Sequence, residues 1–214
     1  MKIRPISRTP RSGGEEPFPT SMLGPVRILC ISGSLRARSS NLEVLRAVSS
    51  LAPKGVRIAV YSGLAELPHF NPDLDEEGME APPAVSDLRR RVDDADALLV
   101  SSPEYAHGVP GSLKNALDWL VSDPGVVGKP VGLLNLAPRA RHAQESLTET
   151  LRTMSLTVVP AASITVDLSG RRLEVDDIVT DGHLAAALRE ALEALVSGAQ
   201  ERRLRRARSI GSAS

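Results

Sequence analysis

Two stretches of the chain concentrate groups able to hold a ligand. Residues 32–41 read SGSLRARSSN, with four hydroxyls, Arg36, Arg38, Gly33 and an asparagine just ahead of a helical apolar pattern. Hydroxyl donors beside the free backbone N–H groups of a helix start suit a phosphate. Arg36 or Arg38 would add charge-assisted hydrogen bonds. Gly33 is expected to supply an unusual backbone angle. The spacing is neither the G-x-G-x-x-G of a dinucleotide site nor a P-loop, since no Gly-Lys-Ser/Thr follows. The same residues also suit an ordinary capped helix start with Ser40 or Asn41 as N-cap, and the two readings are compatible.

Residues 102–119 read SPEYAHGVPGSLKNALDW. Pro103 and Pro110 stiffen this loop, and Gly108 and Gly111 let the chain turn. A stiff loop can present backbone N–H and C=O groups to a flat ligand edge, with Tyr105 as apolar surface beside it. The alternative is a plain connection, with Trp119 packed between helix and sheet. Other chemistry is sparse. The single cysteine, Cys30, excludes an internal disulfide and sits in an apolar run as a small buried hydrophobe. The four histidines, His69, His107, His142 and His183, show no helical pair of metal ligands, so no metal site is expected. His107 alone lies in a candidate loop, where it has the chemistry to protonate a reduced product. Arg89, Arg90 and Arg91, ahead of Asp93, Asp94 and Asp96, read as a solvated helix face.

The elements that must position these loops alternate. Near-continuous apolar runs at 26–32, 56–61, 97–102, 130–135 and 157–161 read as strands, the first buried on both faces. Pro160 marks the last as an edge or a strand end. Helical spacing covers 41–52, 85–94, 112–122, 141–155 and 183–207. A long surface loop is expected at 62–82, and a small hairpin or loop at 166–179, around Ser169-Gly170. The alternation predicts an α/β fold with a doubly wound, five-stranded parallel sheet covered by helices on both faces. Ligands in such folds bind beyond the carboxyl ends of the strands at the switch point, where loops 32–41, 102–111 and 135–142 emerge.

The 214 residues correspond to one domain with tails. The chain carries no net charge and 42% hydrophobic residues, so neither wholesale disorder nor nucleic-acid binding is expected. Charge is uneven: residues 1–25 carry +2, residues 199–214 carry +4 and the middle −6. The expected organisation is a disordered segment 1–24, a domain over 25–198 and a basic C-terminal tail 199–214, with Met22 an alternative start. No run of about 18 apolar residues is present to span a bilayer, and no secretory signal is evident. With one cysteine, that places the chain in the cytoplasm.

Taken together, the motifs at 33–41 and 102–119, with Leu67–Asp73 (LPHFNPD), resemble the NADPH-dependent FMN reductase family of flavodoxin-like quinone, chromate and azo reductases. The resemblance covers about residues 26–160 and implies sheet order 2-1-3-4-5. It implies that Ser34, Arg36, Ser39 and Asn41, with Ser40 among them, hold the FMN phosphate. Pro103, Glu104, Tyr105 and Ala106 would lie along the isoalloxazine ring, largely through backbone groups. The family often has Asn at 106 and Ser at 108, where this chain has Ala106 and Gly108, so side-chain hydrogen bonds there are lost. The segment Asn135–Arg141 departs further and leaves Arg139 or Arg141 to meet the pyridine nucleotide or a phosphate. The implied activity is hydride transfer from NADPH or NADH to FMN, then two-electron reduction of a small-molecule acceptor such as a quinone, free flavin, azo compound or metal oxyanion. No catalytic side chain is required. A homodimer or homotetramer is implied, contacting through 62–82 and 112–122. The competing readings are a non-enzymatic flavodoxin-type electron carrier and a flavin-binding partner protein acting through its basic tail.

Overall fold

The computed structural model describes residues 24–76, 78–168 and 170–211. The expectations for the N-terminal segment up to residue 23, and for a start at Met22, fall outside these residues. The sheet is parallel, with order β2-β1-β3-β4-β5, as predicted. Its strands are β1 (Val26–Ser32), β2 (Val56–Tyr61), β3 (Ala97–Ser101), β4 (Pro130–Asn135), β5 (Thr157–Val158) and β6 (Ile164–Thr165). The apolar runs of β3 and β4 are buried at every position because helices cover both faces.

Those helices are α1 (Ser40–Ser50), α2 (Pro83–Asp94), α3 (Gly111–Asp118), α4 (Arg141–Thr153), α5 (Val175–Thr180) and α6 (Gly182–Gly211). Leu29, Ile31, Leu98 and Val100 pack with Val85, Leu88, Leu113, Trp119 and Leu147 on one face. Ile28, Cys30 and Leu99 pack with Val44, Leu45, Leu188 and Leu192 on the other. The period-two alternation of β1 and β3 sorts their side chains between these two cores.

Several elements differ from the sequence reading. The fifth strand is two fragments that both pair with β4: Thr157 and Val158 lie beside Pro130 and Val131, and Ile164 and Thr165 beside Leu134 and Asn135. A 3₁₀ turn over Pro160–Ala162 separates them, since proline has no N–H to give to a ladder. Gly132 of β4 accommodates that turn, because a Cβ there would lie 2.7 Å from the Ala162 carbonyl oxygen. Of the two readings for 166–179, the described residues show the loop, which runs into α5, where the Glu174 N–H donates to the Asp177 carboxylate at 2.9 Å. Loop 62–82 is more than a surface loop. It contains two 3₁₀ turns and buries Leu64 and Leu67. The Trp119 indole and the Asn115 amide both donate to the Pro68 carbonyl, and the Phe70 N–H donates to Asn115 Oδ1, at 2.8–2.9 Å.

Two basic segments are also more structural than their composition implied. Arg89 is not on a solvated face: it donates to the Trp119 carbonyl and to Asp75 and Ser122. Helix α6 continues through much of 199–214, and Arg203 donates to Asp96 at 2.7 Å and to the Pro25 carbonyl at 2.7 Å. Lys129 is fully buried and donates to the Val92 and Ala95 carbonyls at the end of α2. Burial lowers its ammonium to a pKa of about 8. No helix among the described residues is long and apolar enough to cross a membrane.

Candidate functional site

Chain order reverses between β1 and β3, so the loops after these strands face each other across the crevice at their carboxyl ends. A cavity of about 830 Å³ opens there. Ser34, Arg36, Ser39, Ser40, Asn41, Pro103 and Tyr105 all line it, with Arg38 and Glu43. Seven of the nine candidate positions thus come together. Glu104 and Ala106 are not part of the lining.

The first wall is built around the start of α1. The N-cap is Ser39, in extended backbone, rather than Ser40 or Asn41. Its hydroxyl makes no capping bond. The first-turn N–H groups therefore have no side-chain acceptor, and a helix supplies none from its own backbone. Asn41 instead braces the wall: its Oδ1 accepts from the Ser101 hydroxyl at 2.8 Å, and that hydroxyl also reaches the Leu134 carbonyl at 3.2 Å. Ser34 Oγ accepts from the Arg36 N–H at 3.4 Å, bending the loop ahead of the helix. Gly33 is required for space, not for an unusual angle, because a Cβ there would meet Ser102 Oγ at 2.6 Å and Leu113 Cδ2 at 3.0 Å. The loops after β1 and β3 approach that closely.

The second wall is a closed turn. The Tyr105 N–H donates to the Gly108 carbonyl at 3.1 Å, and the Gly108 N–H donates back to the Tyr105 carbonyl at 2.9 Å. Between them Ala106 and His107 hold φ of 49° and 59°. Positive φ at both central positions is the type I′ arrangement. The left-handed residues are therefore Ala106 and His107, not the glycines that were expected to make the turn. Each costs roughly 1–2 kcal/mol relative to a right-handed conformation. The Glu104 side chain turns away from the cavity, and its carboxylate accepts from the Ala143 N–H at 2.9 Å in the first turn of α4. A carboxylate at a helix N-terminus is favourable both as an acceptor and against the helix dipole. This bond ties the loop after β3 to the loop after β4. Asn135 closes the latter by accepting from the Ala137 N–H at 3.1 Å.

Sequence reasoning missed two features here. The cavity's other wall is Leu168 with Gly170–Asp176, which brings in Arg171 and Arg172. Arg139 and Arg141, the arginines expected to meet a second ligand, are exposed and do not line it. The Arg171-Arg172 doublet after a glycine was the available signal. His107 and His142 also stack, with ring centroids 4.4 Å apart and planes at 32°. Nothing in their spacing announces that contact, which depends on the turn placing His107 against the start of α4. Cys30 is fully buried, and burial pushes its thiol up to about 12. A thiol so protonated is not a nucleophile.

A parallel sheet of this order, with an anion-ready helix start at its switch point, defines a flavodoxin-like α/β protein. Comparison with known proteins places it more narrowly. The profile of the NADPH-dependent FMN reductase family matches residues 26–169. An NAD(P)H-dependent FMN reductase of Pseudomonas aeruginosa is 30% identical over 175 residues, which cover 79% of this chain and 93% of that protein. A quinone reductase of Escherichia coli is 36% identical over 109 residues, only 50% of this chain and 57% of that protein. Among solved structures, the flavoenzyme NAD(P)H:(acceptor) oxidoreductase FerB of Paracoccus denitrificans superposes with a TM-score of 0.64 at 25% identity, over 82% of this chain and 98% of that one. The chain belongs to the NADPH-dependent FMN reductase family, whose members are flavin-dependent oxidoreductases with NAD(P)H as co-substrate.

Proposed function

We propose that Ser34, Arg36, Ser39, Ser40 and Asn41 hold the phosphate of FMN, and that Pro103, Glu104, Tyr105 and Ala106 lie along its ring. The observation that carries this reading is the uncapped first turn of α1 opening into the same cavity as Pro103 and Tyr105, where the closed turn begins. The residues fit the group. Backbone N–H groups and serine hydroxyls stand at one end of the cavity, a guanidinium is at hand for a charge-assisted bond, and a stiff backbone edge lies beside them.

When bound, FMN supplies hydride acceptance from NAD(P)H and two-electron delivery to an oxidised small molecule. The protein's part is to bind and orient. Glu104 acts through its backbone, because its carboxylate is engaged at α4. Ala106 has no polar side chain to offer, so recognition there also rests on backbone groups. Tyr105 is 52% exposed and gives the ring edge an apolar neighbour. The bond from Glu104 to Ala143 holds the second and third loops at fixed separation, so the site is preorganised.

The acceptor class we favour is a quinone, in keeping with the quinone reductases among the relatives. With one face of the ring serving both substrates, donor and acceptor bind in turn and the kinetics are ping-pong. A second copy of the chain completes the pocket in a homodimer or homotetramer. Exposed Leu74, Met79 and Val121 lie on or beside the contact elements this requires. The test is the spectrum of the purified protein and its steady-state rates. Bound flavin and parallel double-reciprocal lines with NADPH and a quinone are expected. A colourless protein that takes up no FMN overturns the site. Intersecting lines, once substrate inhibition is ruled out, overturn the shared face alone.

A further inference from the structure

The cavity at the switch point has arginines on two walls. Arg36 and Arg38 stand on the loop before α1, and Arg171 and Arg172 stand on the segment before α5. That second wall is fixed at both ends. The Leu168 N–H donates to the Leu136 carbonyl at 3.1 Å, and the Arg171 N–H turns back to the Leu168 carbonyl at 3.0 Å. Gly170 makes the turn at φ of 74°, a conformation open to it for want of a Cβ. Beyond it Leu173 and Val175 pack against the core that holds Val44 and Leu45 of α1, and Ile178 is buried within that core. Helices α1 and α5 are in contact, so the two walls belong to one frame. The match to the family profile ends at residue 169, just before this wall, and so assigns it no role. The two arginine side chains are the exposed part of a backbone that is held. Arg171 is paired only loosely, 3.7 Å from Asp181. Arg172 makes no ion pair among the described residues.

We propose that Arg171 and Arg172 close the FMN phosphate from the side opposite α1, so that the flavin is retained through turnover as a resident cofactor rather than exchanged as a substrate. The proposal rests on the flavin reading above. The charge of the cavity suits one phosphate and no more. Four arginines share the lining with Glu43, Glu174 and Asp176, an excess that a single phosphomonoester, close to dianionic at neutral pH, takes up entirely. The arginines of both walls therefore have one anionic group to share. A phosphomonoester presents three strong acceptor oxygens. The first-turn N–H groups of α1, the serine hydroxyls and Arg36 meet it from one side. The oxygens turned the other way are left for planar guanidinium groups, which match them in pairs. A flavin exchanged at every turnover needs a phosphate site with an open side, whereas this one is bounded twice. Retention also bears on the product: electrons leave the bound ring for a separate acceptor, and reduced FMN is not released.

The test follows release of FMN, and of riboflavin, which lacks the phosphate, from the loaded wild type and from the Arg171→Gln/Arg172→Gln variant, by flavin fluorescence after dilution. The variant is expected to release FMN on the order of tenfold or more faster, the worth of one charge-assisted bond or more. Riboflavin release should stay within about twofold, since nothing in the variant touches the ring's seat. In dilute enzyme without added flavin, quinone turnover with NADPH should persist in the wild type and fade in the variant, returning when FMN is supplied. Unchanged FMN release in the variant overturns the role of the second wall and leaves the α1 site standing. Equal acceleration for both flavins also overturns it, because the arginines would then shape the wall rather than meet the phosphate. A wild type that binds FMN yet stops on dilution until FMN is added overturns retention. A wild type that takes up neither flavin overturns the flavin reading itself.

Discussion

Between Arg36 and Ser40 the chain leaves its polar side chains open, whereas between Ser102 and Gly108 it closes its polar groups within the protein. The Ser39 hydroxyl caps nothing, and Arg36 and Arg38 have no ion-pair partner among the described residues. In the second loop the Ser102 hydroxyl donates to the Pro103 carbonyl, Tyr105 and Gly108 exchange two backbone bonds, and Glu104 accepts from Ala143. On the proposed reading the first loop is left for a ligand to finish; the second is finished by the protein. Charge recognition requires free donors, and shape recognition requires a backbone that does not move. The proposed site, which must hold a phosphate and a flat ring, would use one loop for each.

The largest effect that tests this contrast falls on the open loop. Arg36→Ala is expected to lower FMN affinity on the order of 10–100-fold, since a charge-assisted bond is worth roughly 1.5–3 kcal/mol. Riboflavin, which lacks the phosphate, should hardly respond. Fluorescence titration with both flavins checks it, and an equal loss for the two would remove Arg36 from the phosphate.

In the closed loop a substitution should act on stability first. Glu104→Ala removes the acceptor for the Ala143 N–H and an anion at the start of α4. The expected cost is about 1–2 kcal/mol of unfolding free energy, in the range of lost N-terminal caps. Chemical denaturation measures it, beside FMN affinity in the same variant. Affinity should suffer far less than in Arg36→Ala. A flavin loss as large as that of Arg36→Ala, with little change in stability, would mean that the Glu104 carboxylate meets the ring.

The strained turn makes the opposite prediction. Ala106 holds φ of 49°, a conformation that glycine adopts without a Cβ penalty. Ala106→Gly should stabilise the protein by about 1 kcal/mol, the steric relief less the added freedom of the unfolded chain. Its melting temperature should rise by roughly 2–4 °C for a chain of this size. A drop in melting temperature would show that the Ala106 methyl group packs usefully, and that the turn is not closed at a cost.

The same contrast explains how much was legible in the sequence. The open loop declares itself through residue types, because hydroxyls, arginines and a helix start are chemistry written in side chains. The closed loop does not. Its working parts are backbone groups, and the residues that turn it, Ala106 and His107, carry no turn signature. It was legible only through likeness to a family. The sheet was readable because strands buried on both faces form continuous apolar runs, as in β3 and β4. The fifth strand was not, because its division by the 3₁₀ turn at Pro160–Ala162 rests on Gly132 making room from the neighbouring strand. The wall at Gly170–Asp176 escaped for a similar reason. Only the packing of α5 on α1 brings it to the cavity.

The smallest effect is expected at Cys30, in the strand that carries the open loop. Its side chain is fully buried between sheet and helices, and burial raises the thiol from an ordinary value of 9.0 to about 12. The folded protein therefore holds the proton that an unfolded chain releases between pH 9 and 12. Stability from this group is complete below pH 9 and is lost as the pH rises through about 12. Within the range where the enzyme is assayed, the thiol neither ionises nor reacts. Cys30→Ala should leave NADPH-driven turnover within a few-fold and cost about 1 kcal/mol in packing, the loss of one small buried group. Under native conditions a maleimide should fail to label the wild type at pH 8, and labelling should appear only with denaturant. If Cys30→Ala still folds and binds FMN but loses turnover, β1 contributes chemistry of its own. The division of labour between the two loops would then be incomplete. Unchanged turnover leaves β1 as the rigid support that sets the open loop opposite the closed one.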